Sequence, residues 1–172
     1  LGILQASVQQ AFLHCQGAPG RLQRLSGRSG LSVFVDYAHT DDALRNVLSA
    51  LRPLCKGRLF VIFGCGGNRD RAKRALMAKA AEEGADQIIV TSDNPRFEQP
   101  EDIIKDIVSG FSSSTKITVQ PDREKAIRET IARATSNDII LLAGKGHEEY
   151  QEINGVKYHF NDAEIAGKYL NS

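Results

Sequence analysis

Thr91-Ser92-Asp93-Asn94-Pro95-Arg96 stands at the end of the apolar run Ile88-Ile89-Val90. A β-branched apolar run broken by Asp-Asn-Pro reads as a buried strand that stops at a turn. Loops leaving the carboxyl ends of strands line the ligand crevice of an open α/β sheet. The stretch therefore places a carboxylate, an amide and a guanidinium at such a mouth. These groups suit a zwitterionic amino acid, with Asp93 for the ammonium, Arg96 for the carboxylate and Asn94 for either. The same residues also make a plain Asx-Pro turn with a solvated arginine, and other stretches must decide between the two.

Gly64-Cys65-Gly66-Gly67-Asn68-Arg69-Asp70 follows the strand-type run Leu59–Phe63 and can cradle an anion on backbone amides. Arg69 takes the place of the third glycine in the dinucleotide fingerprint, which argues against a dinucleotide. It offers instead a planar fork for a carboxylate or phosphate, or is simply a surface arginine after a tight turn. Gly144-Lys145-Gly146-His147-Glu148 follows the run Ile139–Ala143. Its glycines permit close backbone approach to a ligand, and Glu148 suits an ammonium. Lys145 lacks the glycine spacing of a Walker A loop; it contacts a phosphate or is solvated, and the second is preferred. Asp36 and His39 follow Leu31–Val35 and suit a ribose and a nucleotide, although Thr40 as a helix cap explains that stretch by itself. Together, Arg69 and Arg96 facing carboxylates and Asp93 and Glu148 facing ammonium groups fit a substrate with two amino-acid ends. No Ser/His/Asp or Cys/His nucleophile pattern and no zinc-type His/Cys cluster stands out.

Strand–helix alternation positions these mouths. Thr40 caps a helix with Asp41 and Asp42 in its first turn and Leu44, Val47, Leu48 and Leu51 on one face. Leu76, Met77 and Ala80 mark a second helix. Pro100 opens a third, with Ile103, Ile104, Ile107 and Val108. Lys116–Val119 is a strand, Asp122 caps a helix bearing Ala126, Ile127, Thr130 and Ile131, and Asp138–Ala143 is a further strand. Asn154-Gly155 signals a hairpin. Asp162 caps a last helix with Ile165, Ala166, Tyr169 and Leu170. The pattern predicts an α/β, Rossmann-like, mostly parallel sheet with helices on both faces and a C-terminal hairpin. Leu4, Val8, Ala11 and Phe12 predict a helix before the linker Gly17-Ala18-Pro19-Gly20.

The 172 residues suit one domain with an attached tail, and 41% hydrophobic with 25% charged residues can bury a full core. A net charge of +1 supplies no electrostatic reason for a nucleic-acid or membrane-surface partner. The apolar runs are too short to span a bilayer, and no signal-peptide pattern opens the chain. Three cysteines without metal-ligand spacing point to reduced thiols in a cytosolic protein. A start at Leu1, in mid-pattern and without Met, points to a piece of a longer protein.

Five stretches in order, Pro19-Gly20-Arg21, Asp36-Tyr37-Ala38-His39-Thr40, Gly64-Cys65-Gly66-Gly67, Asp93-Asn94-Pro95-Arg96 and Gly144-Lys145-Gly146-His147-Glu148, carry a resemblance. They resemble the C-terminal domain of the Mur ligases, ATP-dependent amide-forming enzymes of peptidoglycan precursor synthesis, and within them the diaminopimelate-adding branch. The resemblance runs from Gly20 to the C-terminus, and residues 1–19 resemble the tail of the central ATPase domain. It implies that Arg69, Asn94, Arg96, Gly144 and Glu148 hold the distal end of meso-diaminopimelate, with Asp93 supporting the loop. It implies that Arg21 reaches toward the ATP phosphates, Asp36 binds the ribose and His39 lies close to the nucleotide. The reaction implied has two steps. ATP phosphorylates the D-glutamyl carboxylate of UDP-N-acetylmuramoyl-L-alanyl-D-glutamate, and the amine of diaminopimelate attacks the acyl phosphate.

The sequence lacks a Gly-Lys-Thr phosphate loop, a catalytic metal site and a uridine-nucleotide domain. The resemblance therefore assigns Mg2+ and the nucleotide to absent N-terminal and central domains, and the chain alone is expected to be inactive. A lysine-adding ligase domain and a stand-alone nucleotide- or amino-acid-binding module are the alternatives. Asp41 stands where the family has proline. Asn68 stands where it has aspartate, a change expected to bear on how Arg69 is oriented.

Overall fold

The computed structural model describes residues 18–27 and 30–171, so the helix expected over residues 4–12 lies outside the described residues. Strand β1 (Gln23–Ser26) runs antiparallel to β2 (Ser32–Asp36). Then follow α1 (Asp41–Leu51), a 3-10 turn (Arg52–Leu54), β3 (Leu59–Phe63), α2 (Ala72–Gly84), β4 (Gln87–Val90), α3 (Pro100–Val108) and β5 (Ile117–Val119). The chain closes with α4 (Arg123–Arg133), β6 (Ile139–Ala143), β7 (Tyr150–Ile153), β8 (Val156–His159) and α5 (Asp162–Leu170). The sheet order is β1-β2-β6-β3-β4-β5, with every pair parallel except β1–β2. Strands β7 and β8 form a separate antiparallel hairpin.

Side-chain alternation builds two cores. Leu59, Val61 and Phe63 of β3 face α1, α2 and α3 through Leu48, Met77, Ala81 and Ile104. Phe60 and Ile62 face the other side, where α4 and α5 supply Ala126, Ile127, Ala166 and Leu170. Every residue of β3 and of β6 is buried, as parallel strands covered on both faces require. Strand β6 returns between β2 and β3, so the carboxyl ends of β2, β6, β3 and β4 stand side by side.

Local chemistry sets the helix starts. Thr40 Oγ1 accepts from Ala43 N, and Asp122 Oδ1 accepts from Lys125 N. The last helix departs from expectation: Asn161, not Asp162, is the cap, accepting from the N–H groups of Ala163 and Glu164. Leu76 is exposed at 42% rather than in the core, because Met77, Ala78 and Ala81 form the inner face of α2. Strand β1 was not anticipated from sequence. Among the described residues no helix is long and apolar enough to cross a membrane.

Candidate functional site

A crevice of about 510 Å³ opens at the carboxyl ends of the parallel strands. Arg69, Asp93, Asn94, Arg96, Gly144 and Glu148 all line it, as does His39. Arg21 and Asp36 do not. The Asp36 carboxylate accepts from Leu22 N (2.7 Å) and Ala38 N (2.8 Å), which latches the incoming chain to the end of β2. Arg21 is exposed in that incoming loop, which packs so closely on the Gly144–Glu148 turn that a Cβ on Gly20 would lie 2.1 Å from His147 N. Tyr37 sits beside it with its ring centroid 4.6 Å from His39 and 5.7 Å from His147.

The Asp93–Arg96 loop is held from two sides. On one, Gly67 N donates to Asn94 O (2.9 Å) and Arg96 Nη1 donates to Gly67 O (2.7 Å). Gly67 is obligatory there, since a Cβ would lie 1.9 Å from Pro95 O. On the other side the hairpin docks. Arg96 N donates to Glu152 O, Asn154 N donates to Arg96 O, and Gln151 Nε2 donates to Asp93 O. Arg96 adopts φ +53° and faces Glu152 Oε2 with its Nε at 3.4 Å. A non-glycine residue in the left-handed region is sustained only where its surroundings over-determine it, and these clamps do so. Arg69 is exposed at the lip and makes no ion pair among the described residues.

Lys145 corrects the solvated placement preferred from sequence. It is fully buried, and its ammonium lies 3.2 Å from Asp93 Oδ1, 3.1 Å from Asn94 Oδ1 and 3.5 Å from Glu148 Oε2. Asn94 Nδ2 in turn donates to Glu148 Oε2 (2.9 Å). Arg74 forms a buried wall of the crevice, and its guanidinium donates to Glu98 and Asp106. Burial opposes the charge of Arg74, but the two carboxylates prevail and raise its pKa. Burial pushes the Cys65 thiol up to about 12, and the nearby Asp93 charge adds to the effect. Cys65 is thus a weak nucleophile on the crevice wall.

Asn68 is turned away from the orienting part expected of it. Its Oδ1 accepts from Phe97 N, and its N–H donates to Glu98, so it ties two loops together instead of contacting Arg69. Sequence reasoning missed Arg74, Gln151 and Glu152. Only the polar alternation around Asn154-Gly155 hinted that the hairpin carried partners for another loop. Among the described residues no group of three His, Cys, Asp or Glu side chains is gathered to hold a metal ion. The acidic pair in the crevice faces Lys145 instead, so these residues do not fit a divalent cation.

Fold and crevice define a class: an α/β domain whose strand-end loops carry side chains of both charge signs around one crevice. The chain belongs to the Mur ligase family, since the model for "Mur ligase, glutamate ligase domain" matches residues 20–146. It is 50% identical over 167 residues to the UDP-N-acetylmuramoyl-L-alanyl-D-glutamate–2,6-diaminopimelate ligase of Aquifex aeolicus, covering 97% of this chain and 34% of that protein. It is 51% identical over 170 residues to the ligase of the same name from Pseudomonas aeruginosa, covering 99% of this chain and 35% of the relative. The chain thus spans about a third of the length of these curated relatives. A solved structure of a ligase of that name superposes with a TM-score of 0.86 at 44% identity, over 94% of this chain and 33% of that one. The bifunctional folylpolyglutamate synthase/dihydrofolate synthase of Yersinia pestis CO92 shares the fold, with a TM-score of 0.61 at 21% identity over 86% of this chain and 33% of that one.

Proposed function

We propose that residues 20–172 form the C-terminal, amino-acid-selecting domain of an ATP-dependent ligase that adds meso-diaminopimelate to UDP-N-acetylmuramoyl-L-alanyl-D-glutamate in peptidoglycan synthesis. Residues 1–19 are the tail of its central domain, and the enzyme works in the cytoplasm. The observation that carries this is the gathering of Arg69, Arg96, Asp93, Asn94 and Glu148 in one crevice. The exposed guanidinium of Arg69 and the clamped one of Arg96 offer planar donors to the distal carboxylate of diaminopimelate. Asp93 and Glu148 accept from its distal ammonium, and the backbone at Gly144 lets the ligand come close. In this reading Arg21, Asp36 and His39 serve the ATP, with His39 on the crevice itself and the Asp36 carboxylate already accepting from the backbone N–H groups of Leu22 and Ala38.

The chemistry this domain supports is positioning. ATP transfers its terminal phosphoryl group to the D-glutamyl carboxylate, and ADP leaves. The free amine of diaminopimelate then attacks the acyl carbon, the nitrogen gives up one proton to solvent as the amide bond forms, and phosphate departs with the electrons of the broken C–O bond. This domain brings the amine to the acyl phosphate. The parts of the ligase beyond this chain hold the nucleotide substrate, the phosphate-binding loop and the divalent cation.

Lysine tests the assignment, because it lacks the distal carboxylate and would leave the guanidinium forks of Arg69 and Arg96 without their partner in the crevice. In the complete ligase carrying this domain, lysine should be used at least about a hundredfold less efficiently than meso-diaminopimelate. Arg96→Lys should raise the KM for diaminopimelate by about tenfold or more, through loss of the fork. Equal use of lysine would identify a lysine-adding enzyme, and tight binding of either amino acid without ADP formation would identify a binding module.

A further inference from the structure

Lys145 is the crevice feature that the proposed function leaves unused. It is fully buried, it does not line the crevice, and the rings of Tyr150 and Phe160 stand 5.9 Å from its nitrogen. An ammonium has three protons to donate. The three acceptors in reach are Asp93 Oδ1, Asn94 Oδ1 and Glu148 Oε2, all on residues that do line the crevice. A buried ammonium must be paired and hydrogen-bonded to persist, and these groups pair it from inside the protein.

The pairing also orients them. Asn94 Oδ1 is drawn to the cation and to Glu152 N (3.0 Å), which turns Nδ2 toward Glu148 Oε2 (2.9 Å). One oxygen of Glu148 and one of Asp93 are thereby committed inward. Asp93 Oδ2 is left near Gly144, 3.7 Å from where a Cβ on that glycine would stand. Glu148 Oε1 forms no hydrogen bond among the described residues. Each carboxylate thus keeps one oxygen for a ligand.

We propose that Lys145 is the positioning residue behind the amino-acid specificity of the crevice. It is a built-in ammonium that turns Asp93, Asn94 and Glu148 so that one open oxygen of each carboxylate meets the ammonium of the incoming amino acid. This rests on the amino-acid function proposed above. Lys145 touches the protein's own acceptors and not the substrate. Without its charge, Asp93 and Glu148 would lose the one cation that hydrogen-bonds both of them, and Asn94 Oδ1 would keep only Glu152 N as a donor.

The test uses Lys145→Met, which keeps an unbranched side chain one atom shorter, and Lys145→Gln, which keeps a donor but loses the charge. Both are made in the complete ligase, with thermal melting measured alongside kinetics in each substrate. The KM for meso-diaminopimelate should rise about 10- to 100-fold in both, as expected for buried acceptors left unpaired. The KM values for ATP and the nucleotide substrate should stay within about twofold. A general loss of stability would move all three constants together, and that result would overturn the proposal. In case neither variant folds, the wild type supplies a second measurement. The 15N resonance of the Lys145 ammonium should shift on saturation with meso-diaminopimelate and stay put with ATP; no shift on saturation would overturn the proposal. A wild type that turns over without regard to diaminopimelate would instead overturn the amino-acid function itself.

Discussion

Asp138 shows what one side chain does when its neighbours are arranged around it. It is 3% exposed at the foot of β6, and its carboxylate accepts from Arg58 N, Arg58 Nη2, Thr135 N and Thr135 Oγ1. Burial alone would raise its pKa, but the Arg58 guanidinium and the surrounding N–H donors outweigh it and lower the pKa from 3.8 to about 2. The folded state thus holds this group ionised where the unfolded chain would protonate it. That stability, about 2 kcal/mol, is fully present above pH 4 and is lost as pH falls through the folded value near 2. Urea unfolding of wild type and Asp138→Asn between pH 5 and pH 2 checks this. The wild type should lose about 2 kcal/mol more than the variant across the window, and parallel curves would refute it. From sequence, Asp138 was only the first residue of a strand, and Lys145 was a solvated lysine. Their partners explain the difference: Lys145 meets Asp93, 52 residues away, and Asp138 meets Arg58, 80 residues away. Asp162 was misplaced as a cap for the same reason, since Arg123 lies 39 positions distant. That Arg69, Asp93, Asn94, Arg96 and Glu148 gather around one crevice was legible because each lies in a loop leaving a strand end, where topology brings loops together.

Among the elements, those with strong periodicity were readable. The apolar runs of β3, β4 and β6 and the caps of α1 and α4 need only local chemistry. Strand β1 did not announce itself: it is a half-exposed edge strand of polar character, Gln23-Arg24-Leu25-Ser26, whose pairing to β2 is set by the sheet. The hairpin β7–β8 was visible through Asn154-Gly155, but its work was not. Asn154 and Gly155 take φ +51° and +76°, the two positive values a tight two-residue turn demands. Glu152, Ile153 and Asn154 then form the ledge on which the Arg96 backbone docks. Gly155→Val tests the coupling. Valine there is strained in φ, and its Cβ would meet Phe97 Cζ at 3.2 Å, costing about 1–3 kcal/mol locally. The hairpin amides should exchange faster with solvent, and in the complete ligase proposed above the KM for diaminopimelate should rise several-fold. The two cores lie on other elements, so the global unfolding midpoint should change little. Faster exchange with an unchanged KM would show that the hairpin does not hold the Arg96 loop.

At the scale of the molecule, one buried ion pair joins the layer of α4 and α5 to the sheet directly beneath the crevice. Arg123 opens α4 and Asp162 opens α5; both side chains are wholly buried. Arg123 Nε and Nη2 donate to the two Asp162 oxygens at 2.8 and 2.7 Å, and Nη2 also donates to Ala143 O (3.0 Å), one residue before Gly144. Burial opposes the guanidinium charge, and the Asp162 carboxylate overrides it to raise the Arg123 pKa, with Asp93 and Glu148 adding to the effect. Arg123 Nη1 is buried with no partner among the described residues, so the pair is not fully satisfied even when intact. Two buried charges are expensive to desolvate, and removing one partner leaves the other uncompensated. Asp162→Leu alone should therefore destabilise the chain by about 3–5 kcal/mol, and Arg123→Met alone by a similar amount. The double variant should recover most of that loss, because an apolar pair of similar volume carries no desolvation penalty. Denaturant unfolding of the two single variants and the double variant measures the coupling. If the double variant loses the sum of the two single costs, the pair is not the joint described here. If it recovers stability yet binds diaminopimelate less well, the bond from Arg123 to Ala143 is what seats Gly144 and Lys145 under the ligand, and the ion pair serves the crevice more than the fold.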